Sequence, residues 1–425
     1  MTLKASSDIP DPDSFAQLEN RLVHADGKTS GKFGDYRLTS HFQPIVSLSH
    51  CRVIGHEGLM RATDASGANV SPLDVLAKAA QASSLVELDR LCSLLHVCNA
   101  RQEEGENGWL FLNMHPDVFI REQDCDLDIF TELLQSKQGF ATNRVVFEVL
   151  EQWISNTADG FSQAVARFRD RGYLIALDDF GAGHSNFDRV WQLKPEIVKL
   201  DRCFAVQIES DPHVRRLLPR IVTLLHEAGS LVLLEGIETE LQAMIALESD
   251  IDFVQGYYFA RPAPSLVPPP QTLPLVLSLW DNYEENIDKN YADSRAMIAP
   301  YENAIGHASV MLAAGRTIAE ACASFLELPK AEFCFLLDSE ARQIGQNVVA
   351  PRVKYDKPNF LPLVSAKESR WSRRPYFRRA SEHFGRVCRT RPYLSVTTAR
   401  LCITLSVKFR IGNDSFVLCG DIDCE

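Results

Sequence analysis

The chain has eleven cysteines, yet no CxxC pair and no cysteine spacing of a zinc site. Their odd number and scatter, from Cys51 to Cys424, exclude a disulfide framework and read as reduced thiols used as small apolar residues in a reducing compartment. Also missing is any uncharged apolar run near the ~20 residues that a membrane helix requires. The best candidate, Arg215–Leu234, is interrupted by Arg220, His226 and Glu227. The first residues, Met1–Ser14, are polar, carry Pro10 and Pro12, and lack the basic-then-apolar order of an export signal. These absences predict a soluble cytoplasmic protein with no membrane span. A basic excess is absent too. The formal charge is −12, which speaks against nucleic acid as a partner of the whole chain. That charge is uneven: residues 351–400 hold thirteen Lys or Arg against three acids, so this stretch is +10 and the remainder −22. An acidic half that held an anionic substrate would need metal cations to do so.

With 425 residues, two or three domains are expected. Residues 1–35 read as a flexible or partly helical lead-in. From Phe42 to Ala260 apolar strands alternate with amphipathic helices. The strand candidates are Phe42–Leu48, Arg52–Met60, Trp109–Asn113, Arg144–Glu148, Leu174–Asp178, Ile197–Lys199, Leu231–Glu235 and Phe253–Gln255. Runs such as Val145-Val146-Phe147 and Leu231-Val232-Leu233-Leu234 are apolar on both faces, as parallel strands covered by helices must be. Helices are expected over Pro72–Ala82, Leu88–Ala100, Gly160–Arg171 and Val214–Ala228. Eight such strands fit a (β/α)8 TIM-type barrel over residues 36–265 better than an open doubly wound sheet. The first two are joined by only a few residues around Ser49–Cys51, too few for a helical crossover, so they should be antiparallel. Arg261–Pro274 holds six prolines and reads as a linker. Residues 266–310 would form this linker and a connecting helix, Leu275–Ala299, ended by Pro300. A further helix is expected over Ala304–Leu326. Residues 311–425 would then form a smaller α+β domain, with strands at Phe333–Leu337, Gln343-Ile344, Leu401–Phe409 and Ser415–Asp421.

The chemistry is carried by what stands at the strand ends. Glu57, Asn113, Glu148, Asp178 with Asp179, Lys199, Glu235 and Gln255 each close an apolar run. In a barrel the C-terminal strand ends meet at one mouth, where catalytic groups are found. A single buried polar residue there often caps a barrel layer structurally, whereas seven on successive strands favour a site. Five carboxylates in one cleft repel one another unless cations neutralise them. Oxygen ligands select hard ions, Mg²⁺ or Mn²⁺, and two such ions ~4 Å apart support phosphodiester cleavage.

These residues resemble the EAL-domain cyclic di-GMP phosphodiesterase family. The matching stretches are Gln43-Pro44-Ile45-Val46, Glu57-Gly58-Leu59-Met60-Arg61, Asn113 with Pro116, Glu148-Val149-Leu150-Glu151, Ala176-Leu177-Asp178-Asp179-Phe180-Gly181-Ala182-Gly183, Lys199-Leu200-Asp201, Glu235-Gly236-Ile237-Glu238 and Gln255-Gly256-Tyr257. The resemblance implies that Glu57, Asn113, Glu148 and Asp178 ligate one metal and that Asp178 bridges to a second, bound also by Asp179. It implies that Lys199 orients or polarises the attacking water. Glu235 would be a general base or a water-mediated metal ligand. Gln255 would hold the metal-bound water or a phosphate, and Arg61 would pair with a substrate phosphate through its guanidinium fork. Gln43 and Asp201 would position their neighbours, and Glu151 would anchor the loop Phe180–Phe187, the natural place for homodimer contact and control. Cyclic di-GMP is the implied substrate, opened to linear pGpG; the alternative is a catalytically silent receptor for the same nucleotide.

Several positions depart from the family pattern. Gly58 replaces an alanine, which is read as added backbone freedom beside a ligand. Met114-His115 follow Asn113, and Ala182, His184 and Asn186 stand in the control loop. His56, next to Glu57 on one strand, should point away from the barrel centre. In the basic segment, Arg370, Arg373, Arg374, Arg378, Arg379, Arg386, Arg389 and Arg391 are interleaved with Trp371, Tyr376, Phe377 and Tyr393. A solvated face accounts for them; a pocket for a small carboxylate or phosphate is the functional reading. Arg374-Pro375-Tyr376-Phe377 and Pro392-Tyr393-Leu394-Ser395 resemble PAS/Cache-like sensor domains.

Overall fold

The structure, a computed structural model, describes residues 18–102, 108–121, 124–137, 139–150, 158–183, 187–266, 272–353, 366–398 and 400–424. Its contacts divide into two units, Met1–Glu285 and Asn286–Glu425. Among the described residues no helix is long and apolar enough to cross a membrane.

The first unit contains β1 (Leu22–Ala25), β2 (Lys28–Phe33), β3 (Tyr36–Ser47), β4 (Arg52–Thr63), β5 (Asn69–Val70), β6 (Trp109–Asn113), β7 (Val145–Leu150), β8 (Leu174–Phe180), β9 (Ile197–Leu200), β10 (Leu231–Leu234) and β11 (Phe253–Val254). Strands β3, β4 and β6 to β11 pair in sequence, and β11 returns to β3, which closes an eight-stranded barrel with no free edge. Strand β3 is antiparallel to both of its barrel neighbours, β4 and β11, whereas β4 and β6 are parallel. The short connection at Ser49–Cys51 dictates the first of these relations. Helices follow where the pattern places them, at Pro72–Gln81, Leu85–Gln102, Ala158–Asp170 and Pro212–Glu227. The first starts where its sequence says it should: Ser71 accepts a hydrogen bond from the Leu73 amide, and Pro72 occupies the first helical position.

Two expectations for the first unit are corrected. Residues 22–33 are not a lead-in: β1 and β2 form a hairpin, and β2 pairs antiparallel with β3. The sequence Lys28–Phe33 carries one large apolar residue, so no strand pattern is visible. What holds it lies 70 residues away, where the Asn99 side chain accepts from the Thr29 amide at 2.8 Å and donates to the Thr29 carbonyl at 2.9 Å. The proline-rich stretch is also not wholly a linker, because Ala263 bridges Phe42 on β3 through two backbone hydrogen bonds of 2.7 and 3.0 Å.

The second unit is α+β. Its strands are β12 (Ala331–Leu337), β13 (Gln343–Val349), β14 (Cys388–Arg389), β15 (Tyr393–Leu394), β16 (Leu401–Ile411) and β17 (Asp414–Asp423). They form an antiparallel sheet in the order β13-β12-β17-β16-β14, with β15 against β16. The expected stop at Pro300 does not occur: one helix runs from Leu273 to Ala313. A proline in a helix interior costs roughly 3 kcal/mol. However, Tyr301, Ile305, Ala308 and Leu312 follow it at helical spacing and are buried with Phe325, Leu405 and Val407. At ~1.5–3 kcal/mol per large side chain, that burial exceeds the loss. The expected helix Ala304–Leu326 is instead broken at Gly315, whose φ of 85° ends the long helix. Short helices Ile318–Ala321 and Ala323–Leu326 then follow. The other sheet face packs Phe333, Phe335, Val417 and Cys419 against Tyr376 and Ala380 of the helix Pro375–Glu382.

Candidate active site at the barrel mouth

Side chains alternate along a strand, and this places the site. Ile45, Phe111, Val146, Ala176, Ile197, Leu233 and Phe253 make an apolar layer inside the barrel. Two residues further on stand Asn113, Glu148, Asp178, Lys199, Glu235 and Gln255, so they form the next layer towards the mouth. On the antiparallel β3 the step runs backwards, from Ile45 to Gln43. Glu57 is its register partner on β4. Apolar packing below thus fixes the height of every polar group above it.

Strict alternation would turn Asp179 away from Asp178. Two irregularities prevent this. Asp179 has a left-handed backbone with φ 57°, and the β8–β9 register shifts between Leu177 and Phe180. Such a conformation costs a non-glycine residue about 1–3 kcal/mol and is held only where the surroundings impose it. The result is that carboxylate oxygens of Asp178, Asp179 and Glu235 lie within 4.8 Å of one another.

Lys199 is the hub of this layer. Its side chain is 1% exposed, and Nζ lies 2.6 Å from Glu148 Oε1, 3.1 Å from Asp178 Oδ1 and 2.7 Å from Glu235 Oε1. A second network surrounds Glu57. Asn113 Nδ2 donates to its Oε1 at 2.8 Å, and Gln255 Nε2 donates to its Oε2 at 2.7 Å and to Gln43 Oε1 at 3.2 Å. Gln43 Nε2 in turn donates to the Ala260 carbonyl.

Burial and like charge act against ionisation here. Burial raises the Glu148 carboxyl well above its usual range despite Lys199. Burial also lifts Glu235 to about 8 and Asp179 to about 6, with Asp178 adding repulsion in both. Glu57 departs the other way: burial would raise it, but Lys199 and the two amide donors together hold it below its ordinary value. The Lys199 ammonium pays for burial, yet Asp178, Glu148 and Glu235 keep it firmly charged.

Five carboxylates face one ammonium, and Glu148 Oε2 and Gln255 Oε1 are buried with no hydrogen-bond partner. Ligand atoms in excess of internal partners, all oxygen, fit hard divalent cations. Glu57, Asn113, Glu148, Asp178, Asp179 and Glu235 are the residues present to hold them.

Of the other expected residues, Arg61 lies four residues beyond Glu57 on the same strand face, with Nη1 donating to the Met60 carbonyl at 2.8 Å. Asp201 caps the helix Arg202–Ser210, accepting from the Cys203 amide at 2.9 Å. His56 is on the strand face opposite Glu57. Glu151, His184 and Asn186 lie outside the described residues.

The sequence gives no warning of His96. It projects from the helix Leu85–Gln102 onto Gly58, hydrogen-bonds Ser40 Oγ through Nδ1 at 2.8 Å and meets Phe42 edge-on. A Cβ at position 58 would come within 2.8 Å of the imidazole Cγ. Gly58 has ordinary strand geometry, so the expectation of added backbone freedom is corrected: the glycine makes room for a ring. Burial lowers the His96 pKa to about 4 from the ordinary 6.5. The unfolded chain therefore binds a proton on His96 before the folded one does. Stability from this residue is complete above pH 6.5 and is lost as pH falls towards 4, by about 3 kcal/mol in all. Chemical denaturation across that range should show a shallower pH dependence in His96→Gln than in the unaltered chain.

A family model described as the EAL domain matches residues 30–262. Among curated relatives, the probable cyclic di-GMP phosphodiesterase PdeG of Escherichia coli K12 is 28% identical over 224 residues, 52% of this chain and 44% of that protein. The cyclic di-GMP phosphodiesterase RocR of Pseudomonas aeruginosa is 32% identical over 120 residues, 28% of this chain and 31% of that protein. The match thus spans less than half of each relative. Among solved structures, the Bacillus subtilis YkuI protein with an EAL domain, in complex with substrate c-di-GMP and calcium, is similar with a TM-score of 0.76 at 21% identity, over 91% of this chain and 96% of that one. At that identity the likeness is one of fold. With 233 of its residues inside the matched region and the matching motifs lining one barrel mouth, the chain belongs to the EAL domain family.

Proposed function

We propose that the barrel hydrolyses cyclic di-GMP to linear pGpG in the cytoplasm with two divalent cations, Mg²⁺ or Mn²⁺, and that the second unit senses a ligand that regulates it. The observation that carries this reading is the group of five carboxylates with one ammonium in the polar layer at the barrel mouth. Glu57, Asn113, Glu148 and Asp178 would hold one cation and Asp178 and Asp179 the other, with Glu235 serving directly or through water. Bound there, the cations supply charge neutralisation and a water acidic enough to attack phosphorus near neutral pH. Lys199, fixed by three carboxylates, orients that water, and Glu235 takes its proton. Gln255 steadies the water or a phosphate oxygen, while Gln43 and Asp201 hold their neighbours in place. Arg61 pairs with a phosphate of the substrate. One phosphorus–oxygen bond to a ribose 3′ oxygen breaks, that oxygen gains a proton, and hydroxide from water completes the 5′-phosphate of the linear product. The loop Phe180–Phe187, anchored by Glu151, is the proposed homodimer contact.

A silent receptor has no need of a full ligand set, and here every member is present. Chelation separates the two. With EDTA, pGpG formation should fall below detection, and Mg²⁺ or Mn²⁺ should restore it. Turnover that persists in chelator would remove the metals from the reaction.

A further inference from the structure

The hairpin β1–β2 flanks the part of β3 that extends beyond the barrel mouth. The helix Leu85–Gln102 shows which way the side chains there point, because it covers one face of β2, β3 and β4. Leu91 lies 3.4 Å from where a Cβ of Gly31 would stand, and His96 lies 2.8 Å from that of Gly58. Ser40 is hydrogen-bonded to His96 and Asn99 of the same helix. Alternation therefore turns Lys28 and Lys32 on β2, Arg37 and His41 on β3 and Arg61 on β4 to the opposite face. That face also carries Gln43 and Glu57. Lys32 and Arg37 are register partners on it. Lys28 and His41 are neighbours too, since Asn99 Nδ2 joins the Thr29 carbonyl to Ser40 Oγ.

Lys28, Lys32 and Arg37 are exposed, and His41 and Arg61 are half-buried. Among the described residues none of the four cations forms an ion pair. Glu57, at the base, is the one carboxylate of the face, and Asp26, Asp35 and Asp64 stand in or beside the turns. Burial, then the charges of Arg61 and Lys28, lower the His41 pKa, against a hydrogen bond to the Pro262 carbonyl. Both cations thus act on the space in front of that ring. Two residues along a strand advance roughly 6–7 Å, so Lys28 and His41 stand one layer outside Gln43 and Glu57. A phosphate bound among the mouth carboxylates leaves the second phosphate of a cyclic dinucleotide, one ribose away in the macrocycle, in that outer layer.

We infer that Lys28 is a substrate-binding residue, its ammonium pairing with the phosphate of cyclic di-GMP that is not cleaved. A diester at the rim stays partly hydrated, and an exposed lysine meets it as a point charge at little desolvation cost. Lys32 and Arg37, further out, add attraction without contact. The inference rests on the nucleotide substrate proposed above.

The test is calorimetry of cyclic di-GMP on the full chain with Ca²⁺. Lys28→Ala, at an exposed position, should weaken binding ~10-fold, the scale of one charge-assisted contact, and Lys28→Arg should keep most of the affinity. Lys32→Ala removes the same charge one layer further out and should change affinity by no more than ~2-fold, because solvent screens it. An analogue with one phosphodiester replaced by a neutral methylphosphonate closes the cycle. It should bind the unaltered chain ~10-fold more weakly than cyclic di-GMP, and Lys28→Ala should weaken it no further. Unchanged affinity in Lys28→Ala, an equal loss in Lys32→Ala, or a Lys28→Ala loss that persists with the analogue would overturn this assignment alone. No binding of cyclic di-GMP by the unaltered chain would overturn the substrate reading and this assignment with it.

Discussion

Lys199→Met should lower cyclic di-GMP turnover by at least ~10³-fold, because it removes the group proposed to orient the attacking water and, among the described residues, the ammonium that Glu148, Asp178 and Glu235 share. The same substitution should destabilise the metal-free protein by about 3 kcal/mol at neutral pH. Removing one partner of a buried charge cluster leaves the others desolvated and uncompensated. Two features make this effect distinctive. It should be largest at alkaline pH and shrink as pH falls through about 8, because Glu235, lifted to about 8 by burial, and Glu148, raised well above its usual range, then carry protons. Added Mn²⁺ should also recover part of the lost stability, since a cation can replace the ammonium's charge but not its role towards the water. Denaturation with and without EDTA, alongside turnover, reads both. A Lys199→Met protein as stable as the parent in EDTA and still active would contradict the hub arrangement.

Gly58→Ala should be costly even though alanine is the family's ordinary residue there. The added methyl would stand 2.8 Å from His96 Cγ, inside a buried contact where overpacking costs about 1–3 kcal/mol. Relief requires β4 or the helix Leu85–Gln102 to move. Glu57, a proposed metal ligand, is the adjacent residue, so turnover should drop at least ~10-fold as well, its displacement being enough for that. Removing the ring should rescue the variant. In a double-mutant cycle, Gly58→Ala with His96→Ala should be more stable than the sum of the single effects by about 1 kcal/mol or more. Additive effects would show that the glycine answers to something other than His96.

These two positions also mark how far the sequence can be read. The barrel strands are legible because a strand buried on both faces leaves a short apolar run, and the polar strand ends are legible because they interrupt those runs at the same place each time. Lys199 and Glu235 belong to that legible set. Gly58 does not: its reason is a histidine 38 positions along the chain, and no local pattern reports which helix residue will meet which strand residue. Asp179 is intermediate. Its type matches the family, but alternation alone would turn it outward, and only the left-handed backbone and the register shift explain its presence beside Asp178. The hairpin β1–β2 and the passage of a helix through Pro300 were hidden for the same physical reason. In each, contacts distant in sequence outweigh a local preference, through Asn99 in one case and the buried Tyr301–Leu312 stripe in the other.

The most direct measurement is chromatography of cyclic di-GMP after incubation with the purified full chain and Mn²⁺. Linear pGpG should accumulate as the product, with the unaltered chain active and Glu57→Ala, which removes the proposed metal ligand that Asn113 and Gln255 hold, inactive. Cyclic di-GMP recovered intact under conditions where calorimetry shows it bound would contradict the hydrolase and leave a receptor in its place.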